Sequence, residues 1–175
     1  MCGIAGWYRR GGRPVTPDAA RTQCDVIRHR GPDDDGYFVD GDFGMGMRRL
    51  SILDVAGGHQ PMTSSDGRFQ LIFNGEIFNH LDLRGELARA GCQFRTHCDT
   101  ETILNAYQRW GDDAWARLEG MFAVAAWDGL KRELTLARDP LGIKPLYYSQ
   151  QQGGAQFCVG DQGAQNASRA WILDQ

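Results

Sequence analysis

The chain has 175 residues, a net charge of -3, a pI near 5.8, 42% hydrophobic residues and 23% charged residues. That length predicts one domain that buries a core without disulfides, and the weak negative charge gives no electrostatic case for nucleic acid or an anionic membrane. No apolar run reaches the roughly 18 residues of a membrane span, and no signal peptide opens the chain. We therefore expect a cytoplasmic protein that contacts neither nucleic acid nor membrane.

The first third of the chain predicts a strand, a helix and a loop. The apolar, glycine-containing stretch 2–8 is typical of a short buried strand. Thr16 followed by Pro17 opens a helix as N-cap and first helical residue. The face of this helix that would pack inward holds Ala20, Cys24 and Ile27. Charged residues around a Gly-Pro pair predict a loop over 28–36.

Two hairpins are predicted next. Asp40-Gly41 is a hairpin turn signal between two strands. Asp66-Gly67 repeats the signal before the apolar strand that ends in Phe73.

The second half predicts two helices and then three strands. Helices are expected over 79–91 and 99–111, each ending at a glycine. Strand character returns over 120–128, 133–139 and 144–149, and a polar loop is expected over 150–154. Because no regular βαβ alternation occurs, the pattern favours an α+β fold of antiparallel sheets with helices outside them.

The five cysteines are odd in number and irregularly spaced, which fits a reduced compartment better than a disulfide framework or a zinc site.

Cys2 directly follows the initiator methionine. Removal of Met1 would give Cys2 a free α-amine, whose pKa of about 7.7–8.0 would let it take the thiol proton near neutral pH. A small core residue is the alternative reading of Cys2.

Three other places carry groups suited to an amino-acid substrate. Arg49, beside Arg48 at a strand end, suits a carboxylate, although a solvated arginine pair is an alternative. Asn74 and the Gly75 N–H would form a donor pair for an oxyanion, unless Asn-Gly is only a tight turn. Asp99, with Glu76, could hold an ammonium group, and the alternative for Asp99 is a helix N-cap.

Eight motifs stand in one order along residues 1–157. They are MCGIAG (1–6), RHRGPDDDG (28–36), RRLSILD (48–54), QPM (60–62), NGEIFNH (74–80), DTE (99–101), GMFAVAAWD (120–128) and RDPLGIKPLYY (138–148). With them the chain resembles the class II glutamine amidotransferase domain, an N-terminal-nucleophile hydrolase, and most closely that of glutamine-dependent asparagine synthetase. The resemblance implies a four-layer αββα sandwich with two antiparallel sheets.

The resemblance also implies roles for the matching residues. Cys2 would attack the side-chain amide of L-glutamine, while Asn74 and Gly75 would stabilise the oxyanion. Arg49 would hold the α-carboxylate, and Asp99 with Glu76 the α-amine. The backbone of Leu50, Ser51, Ile52 and Leu53 would line the site. The domain itself would need no cofactor and no metal.

The likeness stops after Phe157. When the residues from Cys158 are back-translated with permitted codons and re-read one base later, they give Ala-Ser-Glu-Ile-Lys-Ala-Leu, which is how the family continues. We therefore expect residues 1–157 to form the amidotransferase domain and residues 158–175 to be a frameshifted, non-family tail. Coding DNA whose codons cannot give that shifted string would end this hypothesis.

In the family, a synthetase domain or subunit receives the ammonia on an aspartyl-adenylate, with ATP and magnesium. The 175 residues contain no Ser-Gly-Gly-x-Asp-Ser-type pyrophosphate loop, so we expect that domain to be absent and only the glutaminase half-reaction to be present. Other readings remain open: an inactive fragment, a glutamine-binding module, a relative with another acceptor, a papain-like pair such as Cys98 with His29, and assembly as a homodimer.

Overall fold

Strands and helices form close to where the apolar patterns predict them. The computed structural model describes residues 2–9, 14–50, 58–151 and 154–159. In chain order the elements are β1 (Gly3–Tyr8), α1 (Pro17–Asp25), β2 (Asp34–Asp40), β3 (Phe43–Arg49), β4 (Met62–Thr63), β5 (Phe69–Ile77), α2 (His80–Arg89), α3 (Asp99–Trp110), β6 (Gly120–Asp128), β7 (Glu133–Arg138), β8 (Tyr147–Gln151) and β9 (Gly154–Val159). Short 3-10 turns occupy Arg28–Arg30 and Gly111–Arg117.

The strands form two antiparallel sheets that face each other. The first sheet has the order β2-β3-β1-β9-β8, and the second has the order β4-β5-β6-β7. Helix α1 packs on the outer side of the first sheet, and α3, with α2 beside it, packs on the second. The predicted α+β class and the four-layer αββα sandwich are therefore confirmed.

Strand β3 shows why the layers stack in this way. Its large residues Phe43, Met45 and Met47 alternate with glycines, so one face of the strand is bulky and the other is bare. The bulky face joins residues of the second sheet in the central core. The bare face lets α1 approach closely, because a β-carbon on Gly46 would lie 2.7 Å from the Cys24 Sγ.

The capping prediction for α1 is confirmed. The Thr16 side chain accepts a hydrogen bond from the Ala19 N–H at 3.2 Å, and Pro17 is the first helical residue. The predicted inward face is also confirmed, since Ala20, Cys24 and Ile27 are buried.

Two predicted loops are partly wrong. The stretch 28–36 contains a 3-10 turn and the start of β2 at Asp34, because residues 34–36 pair with the buried end of β3. In the stretch 150–154 the described residues are strand, since β8 runs through Gln151 and β9 begins at Gly154. Polar residues suit β8 because it is an edge strand of its sheet.

The expected domain boundary falls inside β9. Cys158 and Val159 continue this strand and pair with Ala5 and Ile4 of β1. The remaining tail, 160–175, lies outside the described residues, so the frameshift stays a prediction.

In the described part of the chain, no helix is long and apolar enough to cross a membrane.

Replacing Gly46 with alanine should destabilise the fold. The new β-carbon would lie 2.7 Å from both Cys24 Sγ and Tyr37 Cδ1, and such overpacking costs about 1–3 kcal/mol. Gly85→Ala is the matched control, since nothing lies within 4 Å of a β-carbon there in α2, and alanine should stabilise that helix by about 0.5–1 kcal/mol. Urea denaturation measures both; equal stability of Gly46→Ala and wild type would refute the close contact of α1 with β3.

Candidate functional site

The two sheets bring the predicted site residues to one cavity of about 220 Å³. Since one water takes up roughly 30 Å³ in the liquid, the cavity has room for a small organic molecule. Cys2 precedes β1 and Arg49 ends β3, and the antiparallel pairing of Gly3 with Arg48 places these ends side by side. The second sheet contributes β5, and α3, the helix packed on that sheet, contributes its start. Predicted residues that line the cavity are Cys2, Arg49, Leu50, Asn74, Gly75, Glu76 and Asp99.

Cys2 is half-buried at the head of β1. Its thiol lies 3.8 Å from the Leu50 carbonyl oxygen, which the thiol can donate to. The Cys2 carbonyl accepts a hydrogen bond from Arg30 Nε at 3.4 Å. The backbone of Cys2 is thus fixed on one side while its thiol faces the cavity. Met1 lies outside the described residues.

Arg48 and Arg49 have different surroundings. Both are buried, so the alternative of a solvated arginine pair is wrong. Arg48 is buried and donates to Asp35 Oδ1 at 3.0 Å and to the Asp25 carboxylate. Arg49 is only 5% exposed and lines the cavity. Arg48 therefore serves the fold, while the guanidinium-bearing side chain of Arg49 belongs to the cavity wall.

Asn74 and Gly75 lie within β5, so the tight-turn alternative is wrong. Asn74 is 2% exposed, and its Nδ2 is buried without a hydrogen-bond partner in the described part of the chain. Buried side-chain donors are normally paired, so an unpaired one in a cavity wall calls for an explanation. A ligand oxygen in the cavity would supply the missing acceptor.

Strand β6 approaches β5 so closely at position 75 that only glycine fits there. A β-carbon at Gly75 would lie 2.1 Å from the Met121 carbonyl oxygen, and one at Gly120 would lie 2.2 Å from the Glu76 carbonyl oxygen. Alternate N–H groups of a strand point to the same edge. The N–H groups of Phe73 and Ile77 donate to side chains beyond the β4 edge of β5, so the Gly75 N–H between them points to that edge, where the cavity lies.

Asp99 is the first residue of α3, and Cys98 occupies the N-cap position, so the N-cap alternative for Asp99 is wrong. Its carboxylate instead accepts a hydrogen bond from the Ile77 N–H at 3.3 Å. Burial raises the pKa of the Asp99 carboxyl above its usual range, although this backbone bond opposes the shift. The side chain of Glu76 is exposed at the cavity mouth.

Ser51, Ile52 and Leu53, which were predicted to line the site, lie outside the described residues.

The papain-like alternative needs a contact between Cys98 and His29, and the part of the chain that the structure describes contains none. The Cys98 thiol is buried beside the Thr96 hydroxyl at 3.0 Å, and His29 lies in the exposed 3-10 turn after α1. Within the described ranges, no cluster of three metal-binding side chains occurs.

Among the cavity residues that sequence reasoning did not predict are three with long polar or hydroxyl side chains: Gln60, Thr100 and Lys144. Gln60 and Lys144 lie in the QPM and RDPLGIKPLYY motifs, which gave a signal but no role. Lys144 is buried, and its backbone is held by Asp139. A missed residue of this kind is visible only when long-range contacts are known.

Asp139 organises the loop that carries Lys144. Its buried carboxylate accepts N–H bonds from Ile143 at 2.8 Å, Lys144 at 3.0 Å and Phe122 at 3.1 Å. Burial alone would raise the pKa of Asp139, but these backbone bonds more than offset burial and hold the pKa below its usual range. The ionised carboxylate therefore ties the loop to β6, opposite Gly75.

The fold of two facing antiparallel sheets is shared with a solved structure: the chain superposes with a TM-score of 0.78 on a glutamine phosphoribosylpyrophosphate amidotransferase of Bacillus subtilis, solved with ADP and GMP. The two chains are 21% identical, and the match covers 98% of this chain and 44% of that one.

A family model described as the glutamine amidotransferase domain matches residues 1–166. The chain belongs to this family. It is 45% identical over 152 residues to asparagine synthetase [glutamine-hydrolyzing] 1 of Bacillus subtilis, covering 85% of this chain and 24% of that protein. It is 40% identical over 147 residues to a yeast protein of the same name (Saccharomyces cerevisiae), covering 84% and 25%. The chain thus spans about a quarter of the length of these relatives.

Proposed function

We propose that this chain hydrolyses L-glutamine to L-glutamate and ammonia with Cys2 as nucleophile. The observation that carries the proposal is the buried, unpaired Asn74 amide in the same cavity as the Cys2 thiol. An amide N–H without a partner is a ready donor to an oxygen that gains negative charge during reaction. Such a donor has no evident role in the packing of β5.

Cys2 would act through its own α-amine once Met1 is removed. The amine takes the thiol proton, and the thiolate attacks the side-chain carbonyl carbon of glutamine. Asn74 Nδ2 and the Gly75 N–H stabilise the resulting oxyanion. The protonated amine then gives its proton to the leaving nitrogen, ammonia departs and a thioester remains. Water, deprotonated by the same amine, cleaves the thioester and restores the thiol.

The charged groups of the cavity suit the other end of glutamine. The buried Arg49 side chain lines the cavity and would bind the α-carboxylate through paired hydrogen bonds. Asp99 and Glu76 also line the cavity and would bind the α-ammonium group. The site would therefore recognise both charges of the amino acid while Cys2 meets its amide.

We further propose that the ammonia serves a synthetase domain or subunit. The two relatives described above are glutamine-hydrolysing asparagine synthetases, and each is about four times longer than the region that matches this chain. Aspartate activated with ATP and magnesium would be the acceptor in that part of the protein. Reconstitution with a synthetase half from a relative, read as glutamine-dependent asparagine formation, tests this assignment.

A glutamine-like diazoketone should label Cys2 in folded, Met1-processed protein. Attack by the thiolate expels nitrogen gas and leaves a stable thioether, so intact mass should rise by the reagent minus N₂. Cys2→Ala should gain no adduct, whereas Cys24→Ala, which removes a buried thiol behind the first sheet, should label like wild type if it folds. Retention of Met1 should block labelling. An unlabelled, folded, processed chain would instead support the glutamine-binding or inactive alternatives.

Glutamine binding should weaken on acidification through the pKa of Asp99. Above that pKa the carboxylate pairs with the ammonium group; below it the neutral acid cannot. Because burial has raised this pKa, the loss should begin at a higher pH than for an ordinary aspartate. Calorimetry of glutamine binding to Cys2→Ala, from about pH 7 to about pH 4, measures the effect.

Asp99→Asn in the same background should bind glutamine about ten-fold or more weakly at neutral pH, since bonds to charged groups are the stronger ones. It should also lose the acid-dependent decline. Asp82→Asn, an exposed change in α2, should behave like the parent. A pH profile shared by Asp99→Asn and its parent would show that Asp99 does not hold the amine.

A further inference from the structure

We propose that Gln60 is a positioning residue that sets the spacing between the oxyanion half and the amine half of the glutamine site. This inference rests on the function proposed above. The oxyanion half is Asn74 and Gly75 on β5, and the amine half is Asp99 at the start of α3. Gln60 forms a hydrogen bond with Phe73, which precedes Asn74, and another with Thr100, which follows Asp99.

Both ends of the Gln60 amide are engaged. Its Oε1 accepts a hydrogen bond from the Phe73 N–H at 2.6 Å, and its Nε2 donates to Thr100 Oγ1 at 3.2 Å. Gln60 is 4% exposed, so the two bonds are shielded from water. Phe73 precedes Asn74, and Thr100 follows Asp99. One side chain therefore bridges the strand and the helix that together form the site.

The register of the second sheet explains why a side chain makes this bond. Met62 pairs with Leu71, and Thr63 pairs with Gln70. Continued backward by two residues, the ladder would set residue 60 opposite Phe73, but β4 begins only at Met62. The Gln60 side-chain carbonyl thus supplies the acceptor that a longer β4 would have given from its backbone. Its NH₂ group remains free to reach Thr100.

The backbone of Gln60 packs directly against the first sheet. A β-carbon at Gly36 in β2 would lie 1.9 Å from the Gln60 carbonyl oxygen, so the two backbone segments are in close contact there. The bridge therefore starts from a point that packs against the sheet that also carries Cys2 and Arg49. Only an amide of this length both accepts from Phe73 and donates to Thr100; glutamate cannot donate when ionised, and methionine lacks the donor.

Thr100 allows the bridge to be cut without disturbing β5. Thr100→Val keeps the shape of the side chain and removes the acceptor, whereas Thr100→Ser retains the hydroxyl. We expect Thr100→Val to raise the KM for glutamine about five- to ten-fold with kcat changed less than about two-fold, as for loss of one buried hydrogen bond. Thr100→Ser should restore KM to within about two-fold of wild type. A change only in melting temperature, with KM unmoved, would mean a purely structural role and overturn the proposal.

Gln60→Met should impair both halves, raising KM and lowering kcat, because Phe73 also loses its acceptor. Adding Thr100→Val to Gln60→Met should then have little further effect on KM, since both changes remove the same bond. Fully additive effects would overturn the bridge.

Amide hydrogen exchange separates failure of this inference from failure of the proposed function. The Phe73 N–H should exchange slowly in wild type and Thr100→Val and faster in Gln60→Met, whether or not glutamine is hydrolysed. Unchanged exchange at Phe73 in Gln60→Met overturns the bridge. A wild-type chain that neither binds nor hydrolyses glutamine, with exchange as expected, overturns the function and leaves the bridge as a packing feature only.

Discussion

The contact between the two sheets is the interaction on which the candidate site depends. Phe43 of β3 stacks on Trp127 of β6 with ring centres 4.0 Å apart and an interplanar angle of 8°, and the Tyr8 ring meets the edge of the same indole. Side chains of a strand alternate between its faces, so a slip of one residue in either sheet would turn this aromatic layer outward. The layer therefore fixes which strand ends lie together. Cys2 and Arg49 come from one sheet and Asn74 from the other, so neither sheet could form the cavity alone.

The buried polar side chains differ in whether they have hydrogen-bond partners within the chain. Asp139 accepts three backbone N–H groups, and Glu101 accepts N–H groups from Arg95 and Thr96 together with the Thr96 hydroxyl. These carboxylates are compensated within the chain, as burial of a charge requires. Among the described residues that line the cavity, Asn74 alone has a buried side-chain nitrogen without a partner. Other buried side-chain atoms without a partner, such as Trp7 Nε1 and Thr102 Oγ1, lie away from the cavity, so it is the position of Asn74 in the cavity wall that links its unpaired donor to a ligand.

The sequence predicted most of the elements because their signals are local. Thr16-Pro17, Asp40-Gly41 and the apolar run of β6 each act within a few residues, and each is present in the structure. The errors arose where a distant partner decides the outcome. Residues 34–36 become strand because β3 offers them a ladder. Likewise the N-cap alternative for Asp99 fails because its carboxylate bonds to Ile77 in another element. The motifs located seven residues that line the cavity, but the bridge from Gln60 to Thr100 spans 40 residues and has no local pattern.

The buried charges also bear on what the cavity can select. Arg49 is only 5% exposed, and burial raises the pKa of the Asp99 carboxyl, so an uncharged ligand group set against either side chain is unfavourable. A site of this kind discriminates strongly against molecules that lack a partner for its buried groups, and more weakly against molecules that differ by a methylene. In the proposed binding mode, Arg49 and Asp99 would recognise the two charges of an α-amino acid but would not by themselves select side-chain length. Length would be set by the separation of the amine half from the Cys2 thiol, so the proposed bridge between β5 and α3 would help the site to distinguish glutamine from shorter amides.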